Sequence, residues 1–233
     1  MAAIHKQLRP IMSSGESPLV LIVDDDVRVC EALGELLASV GIDSLRFTSA
    51  EELIAADIPD RPGCLVLDVR MPGGSGLELH RQMMGARRLA RPVIFITGHG
   101  DIPMSVQAIK AGAVDFLVKP VRDQTLLDAV SAAIALDRTR RREAAACDLL
   151  LERYARLTPR EREVMRHVCL GKLNKQIAYL LQISEVTVKL HRGNVMGKMQ
   201  LASIGELIRA WEVIWPALAG SDRDATTSRN AAA

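Results

Sequence analysis

Residues 19–26 read LVLIVDDD: five apolar side chains run without a break into three aspartates. A short apolar run that stops at polar residues is the signature of a strand buried on both faces of a sheet. Four further short runs, at 44–47, 64–67, 93–96 and 116–118, are likewise bounded by Asp, Gly or Pro. Between them the spacing of apolar residues changes to three and four, which predicts helices. Ala32, Leu33, Leu36, Leu37 and Val40 precede Gly41; Val106, Ile109 and Lys110 precede Gly112; Leu126, Leu127, Val130 and Ile134 form a longer final stretch. Regular alternation of strand and helix implies parallel strands joined by right-handed crossovers, hence an α/β, doubly wound, five-stranded parallel sheet. Sites in such a sheet lie beyond the carboxyl ends of the strands.

The pattern breaks near residue 137. Residues 137–152 are rich in Arg and Ala, with Arg140, Arg141 and Arg142 in succession, and read as a solvated helical linker. No strand signal follows. Thr158, Pro159 and Glu161 make a capping box with proline at the first helical position, and Gly171 stops that helix near Leu170. A second short helix is expected over 174–181. Ser184 caps a third over 185–199, and Ser203 with Glu206 caps a fourth that runs to about Trp211. Four short helices with a tight connection at Gln182 and Ile183 predict an all-α, four-helix domain of helix-turn-helix type. The expected organisation is therefore 17–136, linker 137–152, helical domain 153–215, and a disordered tail over 216–233.

The chain has 233 residues, 48% hydrophobic and 25% charged, with a formal net charge of +2. That length suits two domains. The small net charge conceals a division: residues 18–136 carry 16 acidic and 11 basic side chains, whereas 153–215 carry 5 acidic and 11 basic. A basic second half points to a polyanionic partner. The longest apolar runs, such as 18–23 and 64–67, fall far short of the roughly 20 residues of a membrane-spanning helix, and residues 1–18 lack the apolar core of a secretory signal. The beginning of the chain, with Ser13, Ser14 and Gly15, reads as a flexible extension, within which Met12 is an alternative start. Cys30, Cys64, Cys147 and Cys169 are widely spaced, which fits reduced, mostly buried thiols in a cytoplasmic protein rather than zinc ligands or a disulfide framework.

Chemistry concentrates at the strand ends. Asp24, Asp25 and Asp26 close the first strand, Asp68 the third, Thr97 the fourth, and Lys119, just before Pro120, the fifth. One strand-ending aspartate would be read as a helix cap. Several carboxylates together with a hydroxyl and an ammonium are instead the parts needed to hold a phosphoryl group beside Mg2+. The glycines at 73, 74 and 76 fit neither nucleotide-binding glycine pattern, so they read as a turn beside that site.

Four motifs in order, VDDD at 23–26, LDVRMPGGSG at 67–76, ITGHGD at 96–101 and VDFLVKP at 114–120, resemble the CheY-like receiver domain of two-component response regulators. The resemblance implies that Asp68 accepts phosphate from a sensor histidine kinase, with Asp24, Asp25, Asp68 and the Arg70 backbone carbonyl holding Mg2+. It further implies that Lys119 pairs with the phosphoryl oxygens, that Thr97 moves toward them, and that Phe116, which lacks the hydroxyl of a tyrosine, follows by packing alone. A cis Lys119–Pro120 bond is also implied, against a trans proline that merely opens the last helix.

In the basic half, LTPREREV at 157–164, NKQIAYLLQIS at 174–184 and TVKLHRGNVMGKM at 187–199 resemble the LuxR-type helix-turn-helix, and the whole chain resembles the FixJ/NarL type. Val188, Val195 and Met199 form an apolar stripe for the core. Lys189 and Leu190 are expected to face base edges, with Thr187, Arg192, Lys175 and Lys198 holding phosphates. Gly193 stands where some relatives carry a basic base-reading residue. The resemblance implies a phosphorylation-dependent transcription factor rather than an enzyme, with no catalytic residues. Its partners would be a sensor kinase, double-stranded promoter DNA and RNA polymerase. Phosphorylation would make it a homodimer, releasing the basic module from an unproductive arrangement. A regulator that binds DNA independently of phosphorylation is the alternative. A phosphatase of the haloacid dehalogenase kind would need a second aspartate two residues after the nucleophile, where Arg70 stands.

Overall fold

The computed structural model describes residues 17–72, 74–83, 91–98, 100 and 102–230. The flexible extension and alternative start expected at the beginning of the chain lie outside them. The first compact unit, which ends at Arg141, runs β1 (Leu19–Val23), α1 (Val27–Ser39), β2 (Asp43–Phe47), α2 (Ala50–Ala55), β3 (Gly63–Asp68), β4 (Arg70–Met71), β5 (Gly74–Ser75), α3 (Gly76–Met83), β6 (Val93–Thr97), α4 (Ile102–Lys110) and β7 (Asp115–Val118). The helix α5 (Asp123–Ala155) leaves it for the second unit, which adds α6 (Pro159–Cys169), α7 (Asn174–Leu181), α8 (Glu185–Met199) and α9 (Ile204–Asn230).

Five strands make one parallel sheet in the order β2-β1-β3-β6-β7. Alternate residues of a strand face opposite ways, and this alternation sorts the core into two layers. Val20, Ile22, Cys64, Val66, Ile94 and Ile96 pack with Cys30 and Leu37 of α1 and with Leu126, Val130 and Ile134 of α5. Leu21, Val23, Leu65, Leu67, Val93 and Phe95 pack with Leu53 of α2, Leu79 and Met83 of α3, and Ala108 of α4. Helices on both faces explain why β1, β3 and β6 are buried throughout, while β2, at an edge, is half exposed. The small pair β4/β5 occupies the glycine-rich turn.

One close approach tolerates no side chain. A Cβ on Gly63 would lie 1.8 Å from the Leu19 carbonyl oxygen and 2.6 Å from Arg91 Nη1. Gly63→Ala is therefore expected to lose more than about 2 kcal/mol by forcing β1 and β3 apart; urea unfolding monitored by circular dichroism reads the loss.

The segment expected as a helical linker at 137–152 is helical, and it is continuous with the helix before it, because no Gly or Pro lies between Pro120 and Pro159 and the intervening Ala, Leu, Arg and Glu favour helix. Within the first unit, the Asp137 carboxylate accepts from the Gly63 N–H at 2.9 Å and from Arg141 Nε at 2.8 Å, and Arg141 also pairs with Asp60 at 2.6 Å. One expectation changes, that for the fourth helix and the tail. In place of an end near Trp211 and disorder from 216, α9 continues through Pro216 to Asn230. Ala217, Leu218 and Ala219 sustain helix, and Leu218 packs against the core of the second unit.

The second unit otherwise follows its capping signals. Thr158 and Glu161 form the reciprocal capping box, Ser184 Oγ accepts from the Thr187 N–H at 3.0 Å, and Ser203 Oγ accepts from the Glu206 N–H at 3.2 Å. The α7–α8 turn places Gln182 in the left-handed region. Val188, Val195 and Met199 are buried with Ile177, Val164 and Leu207. All four cysteines are free. Burial pushes the Cys64 thiol up to about 12, well removed from reactivity.

Glu161 ties this unit together. Its Oε2 accepts from Lys198 Nζ at 2.6 Å and from the Thr158 N–H at 2.8 Å. Burial pushes its carboxyl up, but these hydrogen bonds outweigh burial and hold it at about 2. Since the folded value lies below the ordinary 4.5, the stabilisation is complete above about pH 4.5 and drains away as pH falls toward 2. Glu161→Gln is expected to lose about 2 kcal/mol at pH 7 and to remove that part of the acid sensitivity, as chemical denaturation across pH would show.

Candidate functional site

The strand registers bring the polar ends together. Val23 pairs with Leu67, Asp68 with Ile96, and Thr97 with Val118. The next residues, Asp24 just after β1 and Lys119 just after β7, therefore join Asp68 and Thr97 at the same end of the sheet. Asp24 and Asp68 are 2% and 6% exposed. Lys119 Nζ bridges them, donating to Asp24 Oδ2 at 2.5 Å and to Asp68 Oδ2 at 2.7 Å. Each acid has its other oxygen held by backbone: Asp24 Oδ1 accepts from the Asp26 N–H at 3.0 Å, and Asp68 Oδ1 from the Arg70 N–H at 2.9 Å. Both carboxylates are thus fixed before any ligand arrives.

Burial pushes the Asp24 carboxyl above its usual range, against the hydrogen bonds from Lys119 and Asp26. Burial alone would lower the Lys119 ammonium, but its hydrogen bonds to Asp24 and Asp68 overcome that and raise it. Lys119 accordingly remains a cation. The third aspartate of the run, Asp26, has the bland role: it is the N-cap of α1, accepting from the Arg28 N–H at 3.0 Å. Asp25 is exposed, and Asp24, Asp25 and Asp68 each offer an oxygen within 4.8 Å of the others. Hard carboxylate oxygens gathered from two buried aspartates and one exposed one fit a hydrated divalent cation such as Mg2+.

Thr97 is fully buried at the end of β6, and its carbonyl accepts from the Lys119 N–H at 2.8 Å. The Lys119–Pro120 peptide is cis. Phe116 lies opposite Phe95 in the sheet register and is half-buried. A contact that residue spacing did not reveal involves Gly100. A Cβ there would stand 2.7 Å from Val118 Cγ2, 3.2 Å from Phe116 Cε1 and 3.4 Å from Thr97 Cγ2. Glycine at 100 lets the backbone at that position approach Val118, Phe116 and Thr97 without a clash; the GHG within the ITGHGD motif was the available signal.

In the second unit, α7 and α8 form the helix-turn-helix. Lys175, Lys189 and Leu190 are exposed. Thr187 is half-buried, its hydroxyl 2.8 Å from that of Ser184. Two of the residues assigned to phosphates have partners within the chain: Arg192 Nη1 donates to Asn174 Oδ1 at 2.5 Å, and Lys198 is paired with Glu161. Both fix α8 against the preceding helices. Tyr179 on α7 and Val186 on α8 are strongly exposed, and sequence periodicity had not singled out either.

Comparison with known proteins agrees with both halves. The response regulator receiver domain matches residues 20–131, and the family of bacterial regulatory proteins of the luxR type matches residues 155–211. Nodulation protein W of Bradyrhizobium diazoefficiens is 47% identical over 196 residues, covering 84% of this chain and 86% of its own length. The transcriptional regulatory protein FixJ of Azorhizobium caulinodans is 45% identical over 194 residues, 83% of this chain and 92% of that one. The chain belongs to the two-component response regulators. Among solved structures, the response regulator StyR is 44% identical, with a TM-score of 0.72 over 84% of this chain and 99% of its own. This response regulator is a transcriptional regulator with a receiver and a LuxR-type DNA-binding domain, and a sensor kinase and DNA are the partners that pairing implies. None of its described helices is long and apolar enough to cross a membrane.

Proposed function

We propose that Asp68 is the phosphoacceptor of this regulator and that its phosphorylation controls duplex binding by α7 and α8. The observation that supports this most is the Lys119 bridge between two buried, backbone-held carboxylates. An Asp68 oxygen attacks phosphorus as the bond to the donor's leaving group breaks, giving an acyl phosphate. Asp24, Asp25 and Asp68, with the Arg70 carbonyl, would hold Mg2+, which supplies charge neutralisation for the phosphoryl oxygens. Lys119, already 2.7 Å from Asp68, shifts its hydrogen bond to the new oxygens. Thr97 follows with its hydroxyl, and Phe116 and Gly100 repack beside it.

That repacking alters α4 and β7. Ile102, Val106 and Ile109 share one face of α4 at spacings of four and three, and with Val118 of β7 they are exposed. Such a stripe suits a symmetric dimer surface. Two basic modules in one dimer then engage two half-sites, with the second held at high local concentration. Lys189 and Leu190 face base edges, Lys175 and Thr187 hold phosphates, and Arg192 and Lys198 contribute charge from positions fixed by Asn174 and Glu161. A cytoplasmic location and contact with RNA polymerase complete the reading.

Purified full-length protein, with and without acetyl phosphate and Mg2+, should be incubated with a library of genomic fragments and the retained DNA sequenced. The phosphorylated form is expected to enrich a few fragments that the untreated form does not. Equal enrichment by both forms would favour phosphorylation-independent binding.

A further inference from the structure

The outward line of α8 carries no charge. Val188, Val195 and Met199 are buried on one side of the helix; diametrically opposite, at spacings of four, three and four, stand Val186, Leu190, Gly193 and Gly197. Val186 is 75% exposed and Leu190 63%. A helix face that only met solvent would be expected to carry Lys, Glu or Gln here, and a face that only neutralised phosphates would carry Lys or Arg. In this helix the nearest cation, Lys189, sits to one side of the line, and Arg192 and Lys198 are engaged with Asn174 and Glu161. Because the line continues in two glycines, Val186 and Leu190 alone project from it. They occupy the N-terminal half of the helix, the part of a recognition helix that reaches base edges.

We infer that Val186 and Leu190 are specificity-determining residues that select thymine in each half-site by contact with its C5-methyl group. This deepens the DNA-binding reading above and rests on it. The major-groove edges present hydrogen-bond donors and acceptors on every base pair, and the thymine methyl is their one apolar group. An aliphatic pair standing out from an otherwise basic module, with 11 basic against 5 acidic side chains over 153–215, is matched by that methyl and by no phosphate. Lys189 supplies the neighbouring polar contact. Adenine-thymine pairs are therefore specified without Asn or Gln on this line.

The test uses full-length protein treated with acetyl phosphate and Mg2+ to select a binding site from random-sequence duplexes. The selected duplex is then resynthesised with deoxyuridine replacing one thymidine at a time. This removes the methyl and leaves the hydrogen-bonding edge unchanged. Wild-type affinity is expected to fall about fourfold at one or two thymines per half-site. Val186→Ala or Leu190→Ala should weaken binding to the thymine duplex by a similar factor and abolish the penalty for uracil at the matching position. Both variants should retain wild-type circular dichroism and phosphorylation. Uniform affinity across every uracil position, or an unchanged uracil profile in both variants, would overturn the inference while DNA binding stands. Failure to enrich any duplex would remove the DNA-binding reading itself, and the thymine contact with it.

Discussion

Asp68→Asn is expected to eliminate both phosphorylation and the gain in duplex affinity that phosphorylation brings. Asparagine preserves the shape of the side chain, and its carbonyl oxygen can still accept from the Arg70 N–H, 2.9 Å from Asp68 Oδ1 in the wild type. It lacks the anionic oxygen that, on the proposed reading, would attack phosphorus. The fold should survive, because Lys119 keeps its bond to Asp24 at 2.5 Å and the repulsion between two adjacent carboxylates is relieved. Incubation with radiolabelled acetyl phosphate and Mg2+ should leave the variant at background, and its duplex affinity should be indifferent to that treatment. A variant labelled like the wild type would place the nucleophile elsewhere. A variant that bound DNA as tightly as the phosphorylated wild type would uncouple the two events.

Lys119→Ala should produce the largest stability change that a metal ion reverses. Lys119 is the shared cation of Asp24 and Asp68, both nearly sealed from solvent. Without it, two neighbouring carboxylates lose their direct counter-charge, and breaking a buried pair from one side typically costs about 3–5 kcal/mol. On the proposed reading, a divalent cation at Asp24, Asp25 and Asp68 would supply the missing charge. Urea midpoints should therefore be much lower for the variant than for the wild type in chelator, and the gap should narrow as Mg2+ is added. Equal midpoints in chelator would mean that the ammonium is not balancing the acids. The variant's acetyl phosphate label should also fail to tighten DNA binding, since no ammonium remains to follow the phosphoryl oxygens.

The sheet was legible because its central strands are apolar from end to end and stop at polar residues. The runs 19–23, 64–67 and 93–96 match β1, β3 and β6 to within one residue at either end. Asp24, Asp68, Thr97 and Lys119 could be gathered on paper because a parallel sheet places all its strand ends at one edge. What spacing could not convey was which acid does what. Asp26 caps α1 and Asp24 faces Lys119, a division set by backbone hydrogen bonds after Val23. In the helical half, the caps at Thr158, Ser184 and Ser203 located helix starts because each places a side-chain oxygen over unpaired N–H groups. Helix ends were less legible. The small and polar residues from 216 onward, with few large apolar groups, predicted a disordered tail, yet α9 continues through Pro216 and Leu218 beyond it packs against the core. Likewise, Arg192 and Lys198 were assigned to phosphates, while their partners within the chain, Asn174 and Glu161, lie 18 and 37 residues away in sequence. Val186 went unnoticed because one exposed valine has no periodic signature; only the outward line of α8 gives it meaning.

The most direct measurement locates the phosphoryl group. Protein treated with acetyl phosphate and Mg2+ is reduced with borohydride, which converts an aspartyl phosphate to homoserine, and is then digested and sequenced by mass spectrometry. Homoserine at position 68 and at no other aspartate is the predicted result. Conversion at Asp24, Asp25 or another acid, or no conversion while DNA binding still responds to acetyl phosphate, would contradict the account.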